Sequence, residues 1–166
     1  MRVAVVVGNP KPRSRTLEAA VMVAERLAGA PPAVVVDVVE LGAGLLGWGD
    51  PAVADAVAAV RGADVAVVAS PTFKASYTGV LKLFLDQVPT DGLAGVAAVP
   101  VMMGAGPGHA LAPELFLKPV LVELGATCPT RALYLLETAY ADGAAIDAWA
   151  EQARPALAAV TGGAAG

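Results

Sequence analysis

Near the amino terminus, Asn9, Lys11, Arg13, Ser14, Arg15 and Thr16 crowd an amide, three cations and two hydroxyls into one short stretch. It follows the β-branched run Val3–Val7 and Gly8, and it leads into an apolar-periodic segment that reads as a helix. A helix N-terminus presents free N–H groups and the positive end of the macrodipole, so it favours an anion. Cations placed there oppose the dipole. A phosphate monoester accounts for them better than a solvated charge run in which Ser14 or Thr16 merely caps the helix. The Walker pattern GxxxxGK[ST] is absent. A formal G-x-G-x-x-G at Gly42, Gly44 and Gly47 runs into Trp48-Gly49-Asp50-Pro51 instead of opening a helix, and is read as a chance match.

Two further loops carry chemistry. Ser70-Pro71-Thr72-Phe73-Lys74-Ala75-Ser76-Tyr77-Thr78-Gly79 offers flat side chains, hydroxyls and unpaired amides, along which a planar heterocycle with polar edges can lie. Pro71 is expected to end the strand before it, because proline cannot continue a central strand. Asp86 on the next helix is a candidate support for this loop or, equally, an exposed helix carboxylate. The third stretch, Gly104-Ala105-Gly106-Pro107-Gly108-His109, lets backbone approach a ligand closely. His109 has no nucleophile–base–orienter set around it, so it reads as a helix cap or an edge contact, and no dedicated catalytic residue is assigned.

These loops need elements to hold them. The pattern predicts strands at Val3–Val7, Val34–Val39, Val65–Ala69, Val96–Met103 and Ala132–Leu136. Between them it predicts helices at Thr16–Ala28, Asp50-capped Pro51–Arg61, Val80–Val88, Ala110–Leu124 and Ala144–Val160, with a Gly-rich loop from Gly42 to Asp50. Leu17, Ala20, Val21, Ala24 and Leu27 form the apolar face expected of the first helix. Alternation of this kind means an α/β domain with a parallel sheet and right-handed crossovers. Its length fits a flavodoxin-like three-layer sandwich with a five-stranded parallel sheet in the order 2-1-3-4-5, whose ligands sit at the carboxyl ends of strands 1, 3 and 4. Residues 1–160 are expected to form one domain and 161–166 a frayed tail. Pro119 lies inside the predicted helix Ala110–Leu124, where a kink or π-bulge is expected near Leu115. The several apolar sides of that helix suit an oligomer interface.

Composition narrows the function. The chain has 166 residues, 57% hydrophobic and 16% charged, which excludes disorder. Mean hydropathy is +0.65, but no apolar run reaches the roughly 18–20 residues of a spanning helix, so no membrane role is expected. The apolar start is too short for a signal peptide and is followed by cations, which reads as a cytoplasmic protein. A net charge of −4 leaves no basic face for nucleic acid. One cysteine, Cys128, and one histidine make no disulfide, and no metal site is expected.

Taken together, three segments resemble the NADPH-dependent FMN reductase family, particularly the flavin reductases that serve two-component alkanesulfonate monooxygenases. They are Gly8-Asn9-Pro10 through Ser14-Arg15-Thr16-Leu17; Pro71 through Lys82 with Leu85-Asp86; and Gly104 through His109 with Leu117-Lys118-Pro119-Val120-Leu121 and Leu124-Gly125-Ala126. Asn9 stands where the family usually has serine, and Leu115 where some relatives carry a tyrosine in a π-helix at a tetramer interface. The resemblance implies FMN as cofactor, its phosphate on Ser14, Arg15 and Thr16, with Asn9, Lys11 and Arg13 in the same loop. It implies that the ring lies against Pro71, Thr72, Phe73, Lys74, Ala75, Ser76 and Tyr77, and against Gly104, Ala105, Gly106 and His109. NADPH or NADH then delivers hydride to flavin N5, the cofactor carrying the hard chemistry. The implied partners are flavin and nicotinamide nucleotides, a flavin-dependent monooxygenase, and further copies of the chain in a homodimer or homotetramer. The alternatives are an FMN-containing NAD(P)H-dependent reductase of quinones, azo dyes or metal oxyanions, a flavodoxin-like electron carrier, and a non-enzymatic domain on the same fold.

Overall fold

In the computed structural model, which describes residues 1–162, alternating burial along the strands builds two cores from one sheet. Strand β1 (Val3–Val7) is buried throughout. Val3, Val5 and Val7 point to one side, where they meet helices α1 (Arg15–Ala28) and α5 (Ala144–Thr161). Ala4 and Val6 point to the other, toward α2 (Pro51–Arg61) and α3 (Gly79–Leu85). The same two-residue period divides β3 (Val65–Pro71) and β4 (Ala97–Gly104), so apolar side chains fill both faces, as a parallel sheet covered by helices requires. With β2 (Val34–Asp37) and β5 (Leu133–Leu136), the sheet is parallel in the order β2-β1-β3-β4-β5. This is the expected flavodoxin-like topology.

Several boundaries differ from expectation for physical reasons. β3 does not stop at Ala69 but runs through Pro71, which pairs with Met103. Successive N–H groups in a strand point to opposite sides, and the Thr72 N–H points to β4, bonding the Met103 carbonyl at 2.7 Å. The missing N–H of Pro71 therefore falls on the β1 side, where β1 has already ended. Pro100 lies inside β4 on the same logic. The Ala98 N–H faces the β5 side, bonding Thr127, so Pro100 faces the gap before β5 begins pairing at Val101–Leu133. β2 ends at Asp37 rather than Val39. The chain then winds through 3-10 turns over Val38–Leu46, interrupted at Gly42 (φ 57), where an open loop was expected. The third helix begins at Gly79, one residue before the predicted start, because Thr78 caps it there, and it ends at Leu85 rather than Val88.

The first helix buries Thr16, Ala19, Ala20, Val23, Ala24 and Leu27, while Leu17 and Val21 sit half-buried at the flank. Small side chains at Ala19 and Ala20 let its backbone lie close to the strands. Ahead of Pro119 the expected irregularity appears as a π-helical turn, Pro113–Leu117, which closes with the Lys118 N–H on the Pro113 carbonyl and continues as α4 (Lys118–Glu123). One extra residue in the turn shifts the register just before a residue that has no N–H to donate. α5 continues to Thr161, whose hydroxyl donates to the Leu157 carbonyl at 2.9 Å, and residues 163–166 of the expected tail lie outside the described residues. Among the described residues, no helix is long and apolar enough to cross a membrane.

Candidate functional site

The loop after β1 is shaped by its own polar groups. Asn9 donates from Nδ2 to Thr16 Oγ1 at 3.1 Å and accepts the Lys11 N–H at 2.9 Å. Ser14 is the N-cap of α1, accepting the Leu17 N–H at 3.3 Å. Ser14 and Thr16 are buried, while Lys11, Arg13 and Arg15 are exposed around them. The hydroxyls thus lie in the floor of the loop and the cations on its rim. Arg15 forms an ion pair with Glu137, Nη2 to Oε2 at 2.9 Å.

Arg13 adopts a left-handed backbone (φ 50). What holds it is Asp37, at the end of the neighbouring strand, whose Oδ2 accepts the Arg13 N–H at 2.8 Å. Asp37 Oδ1 is buried with no partner among the described residues. Burial pushes this carboxyl up from its ordinary 3.8, the Arg13 N–H pulls it back, and the charge of Glu40 pushes it up again, for a net rise. A carboxyl raised in the folded state keeps its proton longer than in the unfolded chain. From 3.8 up to its folded value, stability therefore falls as pH rises. Asp37→Asn removes that loss. Its stability relative to the unmodified chain is expected to increase across this window and then level off, and urea midpoints from about pH 3.5 to about pH 7 will show it. A difference that stays flat with pH refutes the assignment.

The second loop is a tight turn. Phe73 and Ser76 exchange backbone hydrogen bonds at 2.9 and 3.1 Å, and the residues between them, Lys74 (φ 52) and Ala75 (φ 67), both take positive φ. That is the backbone of a two-residue hairpin turn, usually built from Asn and Gly. Left-handed backbone costs an L-residue about 1–2 kcal/mol, so strain is stored here. Ala75→Gly is expected to raise stability by about 0.5–1 kcal/mol after the added entropy of the unfolded glycine, read as a higher urea midpoint. Phe73 is 52% exposed at the base of this turn, and Tyr77 packs against the core. The loop is tied to the first one by Thr78, whose hydroxyl donates to the Gly8 carbonyl at 2.5 Å, while its N–H bonds Ser70 Oγ at 3.0 Å. Of the two readings of Asp86, the exposed carboxylate holds and the loop support does not. It faces outward on α3 and pairs with Lys82 at 2.6 Å, one helical turn away.

The third loop approaches the second at Gly104. A Cβ there would lie 2.0 Å from Tyr134 Oη and 3.4 Å from Thr72 Oγ1. Tyr134 donates to the Gly106 carbonyl at 2.8 Å, so β5 fixes the course of the glycine loop. Thr72 Oγ1 is buried without a partner among the described residues. Ala105, Pro107, Gly108 and His109 are exposed. His109 lines a cavity of about 400 Å³ together with Ala75, Leu111 and Phe116. Beyond it, Glu114 and Lys118 (2.5 Å apart) tie the π-helical turn to the start of β5 through the Thr130 carbonyl and the Ala132 N–H. Cys128 stays a thiol at neutral pH, since burial pushes it up to about 11.

All the expected loop residues therefore gather at the carboxyl edge of the sheet. Three positioning residues were missed from sequence: Asp37, Tyr134 and Glu137. The signal for Asp37 was a carboxylate closing an apolar strand.

A parallel 2-1-3-4-5 sheet with three ligand-type loops at its carboxyl edge defines a flavodoxin-like protein. Residues 1–141 match the model of the NADPH-dependent FMN reductase family, and the chain belongs to that family. It is 37% identical over 97 residues to an FMN reductase (NADPH) of Pseudomonas putida, covering 58% of this chain and 46% of the relative. It is 44% identical over 64 residues to an FMN reductase (NADPH) of Escherichia coli K12, covering 39% and 34%. The matched segments thus span less than half the length of either relative. The crystal structure of an NADH:FMN oxidoreductase (EMOB) in its apo form superposes with a TM-score of 0.83 at 29% identity, covering 98% of this chain and 89% of that one.

Proposed function

We propose that the chain is an NAD(P)H-dependent FMN reductase that passes reduced FMN to a flavin-dependent monooxygenase. The reading rests on one observation: a hydroxyl-floored, cation-rimmed helix N-terminus and the Phe73–Ser76 turn lie on the same sheet edge. The residues suit FMN. Ser14 and Thr16 can donate hydroxyls to a phosphate while Arg15 supplies charge, and Lys11 and Arg13 add to the local field. The Thr72 hydroxyl, without a partner among the described residues and beside the close backbone of Gly104, is a donor available to a polar ring edge. Bound FMN would supply a hydride acceptor at N5, so the chain's own task is to position two ring systems and exclude water between them. In this reading the exposed Phe73 and the exposed glycine loop are candidate contacts for a nicotinamide.

Further copies of the chain form part of this reading. Leu111 just before the π-helical turn, Leu115 and Phe116 within it and Val122 on α4 are all about half or more exposed, a surface suited to self-association. The test is NADPH oxidation by the purified protein, with and without free FMN, after its visible spectrum is recorded. A nearly colourless protein that needs added FMN supports flavin as a travelling substrate. A yellow protein that gains nothing from free FMN turns the reading to a fixed cofactor and a quinone, azo or oxyanion acceptor. No NADPH oxidation with added FMN rejects the proposal.

A further inference from the structure

Arg15 is the first residue of α1, yet its guanidinium does not turn back to the loop it belongs to. It reaches Glu137, at the carboxyl end of β5. β1 and β5 are separated in the sheet by β3 and β4, so their ends stand about 14 Å apart at ordinary strand spacing. The ion pair therefore runs along the sheet edge at which the ligand loops converge. Glu137 is not a loose surface carboxylate. Its N–H bonds the Gly104 carbonyl at 3.0 Å, and Tyr134, in the strand just before it, holds Gly106. The backbone of Glu137 is thus fixed to the start of the third loop, its carboxylate is 31% exposed, and the Arg15 side chain is 62% exposed.

We propose that Glu137 competes with bound phosphate for Arg15 and so keeps flavin exchangeable. The inference rests on the FMN reading above. A phosphate arriving at the N-terminus of α1 either draws Arg15 away from Glu137 or shares it. In the first case the ion pair with Glu137 is given up, and in the second the phosphate meets another anion beside the same guanidinium. Exposed ion pairs are weak, so the competitor lowers affinity without abolishing it. Two further carboxylates near this loop are already engaged: buried Asp37 accepts the Arg13 N–H at 2.8 Å, and Glu18 accepts the Tyr140 hydroxyl at 2.9 Å.

Glu137→Gln keeps the side chain's size and its backbone bond while removing the competing charge. The experiment measures FMN and riboflavin affinity by fluorescence quenching and FMN release by stopped flow, in the unmodified chain, E137Q and the control E18Q. For E137Q the expected result is FMN bound about 3- to 10-fold tighter and released correspondingly more slowly, with riboflavin changed less than about twofold. E18Q is expected to change FMN binding less than about twofold, and the gain in E137Q should shrink in about 0.5 M salt. FMN binding unchanged or weakened in E137Q overturns the proposal, as does an equal gain in E18Q, which would reflect net charge alone. An unmodified chain that binds the two flavins equally overturns the phosphate reading, and this proposal with it. A chain that prefers FMN while E137Q behaves identically overturns this proposal alone.

Discussion

Gly8→Ala is expected to destabilise the protein by about 3 kcal/mol or more, at the top of the range for overpacked sites. A Cβ on Gly8 would lie 2.2 Å from Leu81 Cβ, 2.5 Å from Leu81 Cα and 2.7 Å from Leu81 N. Two of these atoms are backbone in the first turn of α3, so no side-chain rotation relieves the clash. Nor can α3 slide away, because Thr78 anchors it. The same hydroxyl that caps the helix through the Leu81 N–H donates to the Gly8 carbonyl. Gly8 is held on its other side by its own N–H, bonded to the Ala69 carbonyl at 3.0 Å. In a chain of this size such a loss lowers the melting temperature by roughly 6–12 °C. Gly79→Ala is the matched control, for a Cβ there meets nothing within 4 Å, and a change within about 0.5 kcal/mol is expected. Thermal melts of the two variants decide the matter. Equal stability would mean that β1 and α3 are not packed as described.

The contrast between those two glycines shows where sequence reading stops. The strands could be read because a buried parallel strand is written as a continuous β-branched run, and both faces of this sheet are covered. Asp50 and Pro51 announced α2 by local chemistry alone, and Asp50 does accept the Ala52 and Val53 N–H groups. The extension of β3 through Pro71 could not be read that way. Its tolerance of proline depends on where a different strand, β1, ends. Glu137 and Tyr134 were invisible for the same reason. Each acts across the sheet on a loop about thirty or more residues earlier, and no spacing within the chain encodes that pairing. The first helix was legible in part. Ala20, Ala24 and Leu27 of the expected face are buried, while Leu17 and Val21 sit at its flank and close packing on the sheet brings Ala19 and Val23 into the stripe. The three candidate loops were legible because glycine, proline and hydroxyl residues mark a strand's end wherever it stands.

Arg15→Ala is expected to weaken FMN binding by about 10- to 100-fold, the range of a charge-assisted hydrogen bond of about 1.5–3 kcal/mol, while riboflavin affinity changes less than about twofold. Only FMN carries the phosphate, so the ratio between the two flavins isolates the contact from any general disturbance of the loop. Stability should barely move, because the ion pair with Glu137 is largely exposed and such pairs contribute about 0–1 kcal/mol. Ser14→Ala tests the floor of the same loop and should behave differently. It removes a hydroxyl donor and the cap of α1 together, so a smaller FMN-specific loss should come with about 1 kcal/mol of destabilisation. Flavin titrations beside urea melts separate the two effects. Equal losses for FMN and riboflavin in Arg15→Ala would place the phosphate elsewhere and leave Arg15 as no more than Glu137's partner. A selective loss would identify α1's first residue as the group that distinguishes a flavin mononucleotide from its dephosphorylated form. The helix N-terminus alone cannot make so large a distinction, since its dipole contributes about 0.3–1 kcal/mol at an exposed site.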